Sequence, residues 1–135
     1  GDAKVLEELA PLFDAAGERD RTDRILESVR RHYTAICEQH PRCAYAHNNL
    51  AWANARSHRH LDEALRHAEQ AVELEPKSGS YVDTLAEVHF QRGDREQAVT
   101  HAMRAVELSP GSTELKQQLE RFQNEPLPTG KPAGE

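Results

Sequence analysis

Cys37, His40, Cys43 and His47 follow one another as C-x2-H-x2-C-x3-H. All four are side chains that ligate zinc, through thiolate sulfur or imidazole nitrogen. The spacing matches none of the common zinc patterns. The plain alternative buries Cys37 in a helix core, sets Cys43 near the start of the next helix and leaves both histidines in water. No metal and no other cofactor is therefore expected. Among the remaining histidines, His58 and His60 fall in a turn segment. His67 and His101 hold equivalent places in a repeat, which speaks for structure rather than catalysis. The chain has no phosphate-cradling glycine loop, no nucleophile elbow and no HExxH pair. Its carboxylates sit on periodic helix faces, where a catalytic pair cannot be told from solubilising charge. An enzyme is not expected.

The elements that position these residues are helical by composition. Ala and Leu supply 31 of the 135 residues, whereas Val and Ile supply nine, a balance that disfavours an extensive sheet. Mean hydropathy is −0.82 and the charged fraction is 30 %. The longest apolar run, Leu50 to Ala53, is four residues, far short of the roughly 20 that cross a bilayer. Membrane insertion is therefore not expected. A net charge of −6 argues against general nucleic-acid affinity, which rests on Lys and Arg neutralising phosphates. The basic stretch at Arg19, Arg21, Arg24, Arg30 and Arg31 has acids interleaved and reads as a solvated helix face. Two cysteines make no disulfide framework. The chain opens on Gly1 without a Met or a secretory leader, so it is expected to be a piece of a larger protein; the missing leader says little about that protein's compartment, of which the cytoplasm is slightly favoured.

The strongest signal is internal repetition. Between Ala64–Pro76 and Ala98–Pro110, at a spacing of 34, eight of 13 positions are identical: Ala64, His67, Ala68, Ala71, Val72, Glu73, Leu74 and Pro76 recur. Upstream, Leu50-Ala51 matches Leu85-Ala86 at a spacing of 35, so one extra residue sits in the turn RSHRH against QRGD. Each unit reads as two helices. Tyr81, Leu85, Val88 and Phe90 have helical spacing, Gly93 suits a left-handed terminus and Asp94 suits a cap. Ala98, Ala102 and Ala105 form a small-residue stripe that admits a neighbouring helix. Pro110 ends the pattern.

The flanks are less regular. Val5, Leu6, Leu9, Leu12 and Phe13 outline a first helix ending at Gly17, and Ile25, Leu26, Val29, Tyr33, Ile36 and Cys37 share a face of a second that runs to Pro41. After Pro110, Leu115, Leu119 and Phe122 mark a last amphipathic helix, whose polar face (Glu114, Lys116, Gln117, Glu120) suits the terminal cap of a repeat array. The expectation is seven helices at about 3–16, 21–39, 44–56, 61–74, 79–91, 95–108 and 112–123. Residues 1–43 form a degenerate helical pair, 44–110 two repeats, 111–124 a capping helix and 125–135 a disordered Pro- and Gly-rich tail.

Leu85, Ala86, Gly93, Ala98, Ala105 and Pro110, and before them Leu50, Ala51, Ala64, Ala71 and Pro76, resemble the tetratricopeptide repeat. Arg59 or a neighbour replaces the turn glycine in the earlier unit. The string NNLAW with its lengthened turn looks like units common in bacterial members. The resemblance implies an all-α, right-handed solenoid of antiparallel helix-turn-helix repeats, about three of them plus the cap. It also implies a concave groove lined by the first helix of each repeat, taking a peptide or partner helix. By position, Asn48, Asn49, Trp52 and Arg56 would face it from one repeat, and Asp83, Thr84, Glu87, Phe90 and Gln91 from the next. Trp52 has an equally good alternative place, packed between repeats. The subclass that clamps acidic chaperone tails uses Lys, Arg and Asn. Asn49 fits that set, but Ser80 and Thr84 stand where cations are needed. The expected function is thus a protein-interaction module within a larger protein. The alternative is a structural spacer or self-association element without a groove ligand.

Overall fold

The structure is a computed structural model and describes residues 19–128. Six helices make up the described residues: α1 (Arg19–Gln39), α2 (Ala44–Arg56), α3 (Leu61–Leu74), α4 (Gly79–Gln91), α5 (Arg95–Leu108) and α6 (Thr113–Asn124). The bounds of α2 to α5 are those the periodicity predicts, and α1 and α6 differ by one or two residues at an end. The helix expected at 3–16 and the last seven residues of the tail lie outside the described residues.

Local chemistry explains most of the boundaries. Ser78, Asp94 and Ser112 cap α4, α5 and α6, their side-chain oxygens accepting from the backbone N–H groups of Tyr81, Gln97 and Leu115. Asp62 and Glu63 in the first turn of α3 meet the positive end of its dipole. The α4–α5 turn has Gly93 at φ 84°, the left-handed region that costs glycine nothing. Its counterpart at a spacing of 35 is His58, at φ 52°, and the extra residue of this turn is absorbed by a second left-handed residue, His60, at φ 49°. The missing glycine is therefore replaced by His58, one residue before Arg59.

The helices pair through their alanines. Ala64, Ala68 and Ala71 of α3 and Ala98, Ala102 and Ala105 of α5 are all at most 1 % exposed, and close helix approach depends on their small volume. Ala51 and Ala55 meet Ala64 and Ala68 under Leu85 and Val88. Val82, Ala105 and Leu115 form a further cluster. A Cβ built on Gly79 would stand 3.2 Å from the Ala105 carbonyl oxygen and 3.2 Å from Leu115, which measures how closely α4 enters against α5 and α6.

The order of packing gives the array its curvature. α2 packs on α4 and α4 on α6, whereas α3 and α5 do not pack on one another. Like helices that touch lie on the inside of a bend, so α2, α4 and α6 form the concave layer. Residues 125–128 differ from the disordered start expected of the tail. Leu127 packs on the cluster of Ala86, Phe90 and Phe122, and Arg95 donates to the carbonyl oxygens of Phe122 and Glu125. Apolar Leu127 and a reachable guanidinium outweigh the flanking prolines.

Candidate functional site on the concave face

Positions on the inner helices recur at spacings of 35 and then 34. Asn49, Thr84 and Gln118 share one register, Trp52, Glu87 and Arg121 a second, and Arg56, Gln91 and Glu125 a third. The polar members on α4 and α6 are knitted together. Arg121 donates two N–H bonds to the Glu87 carboxylate at 2.7 and 3.0 Å. It also donates to Gln118 Oε1 at 3.2 Å and lies 3.2 Å from a Glu125 carboxylate oxygen. Burial works against the Arg121 charge, but the bonds and charges of Glu87 and Glu125 outweigh it and hold the guanidinium above its ordinary value. Its plane stands over the rings of Phe90 and Phe122, 5.1 and 5.0 Å from their centroids. Gln91 donates to Glu87 Oε1 at 3.2 Å and its own Oε1 accepts from His58 Nδ1 at 3.0 Å. Gln118 donates to Asp83 at 3.5 Å.

The α2 end of the face is different. Asn48 Oδ1, Asn49 Nδ2, both side-chain polar atoms of Asn54 and Arg56 Nε on α2, and His58 Nε2 just after it, are buried atoms with no hydrogen-bond partner among the described residues. Such groups are rare in folded chains, and each carries a desolvation penalty of about 1–3 kcal/mol until something pairs it.

Two residues expected on this face are buried in the packing beneath or beside it. Trp52 is 9 % exposed and packs on Leu26 and Val29 of α1 with Ala53, the alternative place between repeats. Phe90 is 2 % exposed and meets Phe122 at a ring separation of 5.1 Å, because α6 closes over it. Thr84 is buried and its hydroxyl donates to Ser80 O on its own helix. Arg121, Gln118 and His58 were missed in the sequence. The 34-residue register that aligns Glu87 with Arg121 is the signal that finds the first of them.

The metal-ligating residues are also regrouped. His40 is exposed, and Cys43 is half-buried against the cluster of Tyr33, Cys37, Ala46 and Leu50. Cys37 and His47 are instead joined by His67 of α3, with one ligand atom from each all within 4.8 Å of one another. His47 and His67 stack at 5.0 Å and approach at 2.8 Å through their Nδ1 atoms. Burial, then the neighbouring His47, hold His67 below the usual imidazole range. Burial pushes the Cys37 thiol up to about 11.

Antiparallel helix pairs, recurring every 34 or 35 residues and stacked with like helices on one concave layer, define an all-α helical-repeat solenoid. The chain belongs to the tetratricopeptide repeat family, whose model, described as Tetratricopeptide repeat, matches residues 3–120. No curated protein sequence gives a significant match. Among solved structures, the first TPR domain of human RPAP3 is similar at 21 % identity and a TM-score of 0.61, over 90 % of this chain and 89 % of that one. The second TPR domain of human RPAP3, in complex with the HSP70 peptide SGPTIEEVD, is similar at 17 % identity and a TM-score of 0.62, over 91 % of this chain and 96 % of that one. The first TPR of Spaghetti (RPAP3), bound to the HSP90 peptide SRMEEVD, is similar at 21 % identity and a TM-score of 0.61, over 90 % of each chain. Likeness at these identities is a likeness of fold. No helix among the described residues is long and apolar enough to cross a membrane.

Proposed function

We propose that this chain is a protein-interaction module that takes an extended segment of a partner protein along its concave face. The observation that carries the reading is the layer of α2, α4 and α6 packed like on like, lined at its α2 end by the half-buried polar side chains of Asn48 and Arg56. An extended backbone alternates N–H and C=O groups, so carboxamides that offer both a donor and an acceptor suit it without demanding a particular side chain. Similar folds hold peptides in two solved complexes, which agrees with this use of the fold.

The partner's chemistry differs from the acidic peptides in those complexes. Ser80 and Thr84 occupy places where a carboxylate clamp needs cations, and Arg121 is already committed to Glu87. With Asp83, Glu87 and Glu125 against Arg56 and Arg121, the face suits a neutral or weakly basic segment. The test is a peptide-display selection on the purified chain, followed by affinity measurement on substituted forms. Selected peptides should bind at least about tenfold more weakly to Asn48→Ala and Arg56→Ala, the loss of roughly 1.4 kcal/mol expected from an unpaired partner. Binding to Glu73→Ala, on the exposed side of α3, should be unchanged, and the peptide SGPTIEEVD should not compete. Affinity indifferent to the α2 substitutions would reject the reading.

A further inference from the structure

Behind the concave layer the fold gathers a second group of reactive side chains, from three helices. Cys37 comes from the last turn of α1, His47 from the first turn of α2 and His67 from the middle of α3. Their ligand atoms all lie within 4.8 Å of one another. We propose that these three side chains bind a borderline-soft divalent metal ion of the zinc class, fastening α1 to the α2–α3 pair.

The surroundings of the two imidazoles support this. His47 Nε2 is 2.7 Å from the Pro41 carbonyl oxygen. A carbonyl only accepts, so Nε2 carries the hydrogen and the neutral ring keeps a lone pair on Nδ1, turned toward His67. On the far side of His67, Nε2 stands 3.8 Å from a Glu63 carboxylate oxygen. Ligating histidines usually donate their second N–H to a carbonyl or carboxylate, which fixes tautomer and ring orientation. His47 has that acceptor in place, and the Glu63 oxygen, beyond hydrogen-bond distance of His67, must close on it when the ion binds.

Without a metal, His67 Nδ1–H donates to His47 Nδ1 across the 2.8 Å contact. On binding, the hydrogen of His67 transfers from Nδ1 to Nε2, where Glu63 accepts it. Cys37 gives up its thiol proton to solvent, so one proton is released per ion. The two ring nitrogens then separate by about 0.5 Å to suit metal–nitrogen bonds of about 2.0–2.1 Å. A thiolate with two imidazoles and no oxygen donor selects against magnesium and calcium. Three protein ligands leave the fourth tetrahedral position to water.

Packing does not require an imidazole at this place. The 35-residue spacing puts Val82 at the position of His47 in the following repeat, where it packs on Ala105 and Leu115. His101, the equivalent of His67, stacks there on His89, with centroids 5.2 Å apart. The repeat is thus built with an aliphatic residue where this one holds a buried, polar ring next to a thiol.

The test uses the whole chain, stripped with chelator and titrated with Co2+ and then with Zn2+. One equivalent should bind with thiolate-to-cobalt charge-transfer absorption, and Zn2+ should raise Tm by several degrees. Cys37→Ser should abolish the absorption, His67→Gln should weaken binding at least about tenfold, and His40→Asn, at an exposed position, should bind as the unsubstituted chain does. Absence of the absorption in the unsubstituted chain overturns the proposal, whether or not the variants fold. So does equal affinity in Cys37→Ser or His67→Gln.

Discussion

Glu87 has a side chain only 7 % exposed, on a face that a partner would cover. Its carboxylate is tolerable there because Arg121 meets it with paired, charge-assisted bonds, and because the guanidinium rests on two phenyl rings. The pair is a fixed, neutral element of the inner face, so the proposed recognition falls to the half-buried polar side chains on α2. Trp52 takes no part in the proposed recognition. Packed on Leu26 and Val29, it should emit at short wavelength, resist iodide and acrylamide, and keep its spectrum when a selected peptide binds. As the only Trp in the chain it reports without interference. Long-wavelength, readily quenched emission would return it to the groove and detach α1 from α2.

At the scale of elements, the second repeat is expected to carry a pH response through the α4–α5 pair. His89 and His101 stack with an interplanar angle of 7°. Burial holds both below the usual imidazole range; His101 and Arg92 reinforce it at His89 against Asp94, and Glu69 opposes it at His101. The fold therefore favours the neutral rings. Their contribution is complete above the unfolded imidazole value of about 6.5 and is lost as pH falls below it. Thermal melts between about pH 7.5 and 5 should show Tm dropping on acidification, and dropping less in His101→Gln. An equal drop in both would show that the pair carries no pH response. The helices themselves were legible in the sequence because their signals are local: alanines three or four residues apart, Asp94 ahead of α5 and Ser112 ahead of α6, Pro76 and Pro110 past the ends. The turn was legible only in part. Its extra residue could be counted, but the placement of positive φ at His58 and His60 depends on how α2 and α3 must meet.

For the whole molecule, the 34-residue register told which helices share a layer but not which side of a helix each residue takes. Phe90 looked available until α6 and Phe122 closed over it. His67 could not be joined to Cys37 and His47 by spacing, since the helices that bring them together are separate elements. The proposal divides the labour between an inner face of α2, α4 and α6 that takes the partner and an outer layer of α3 and α5 whose small faces are spent on packing. Hydrogen–deuterium exchange of the chain with and without a display-selected peptide tests that division directly. New protection is predicted in α2 and α4, at Asn48 to Arg56 and Asp83 to Gln91, with α3 and α5 unchanged. Protection confined to α3 and α5 would contradict it.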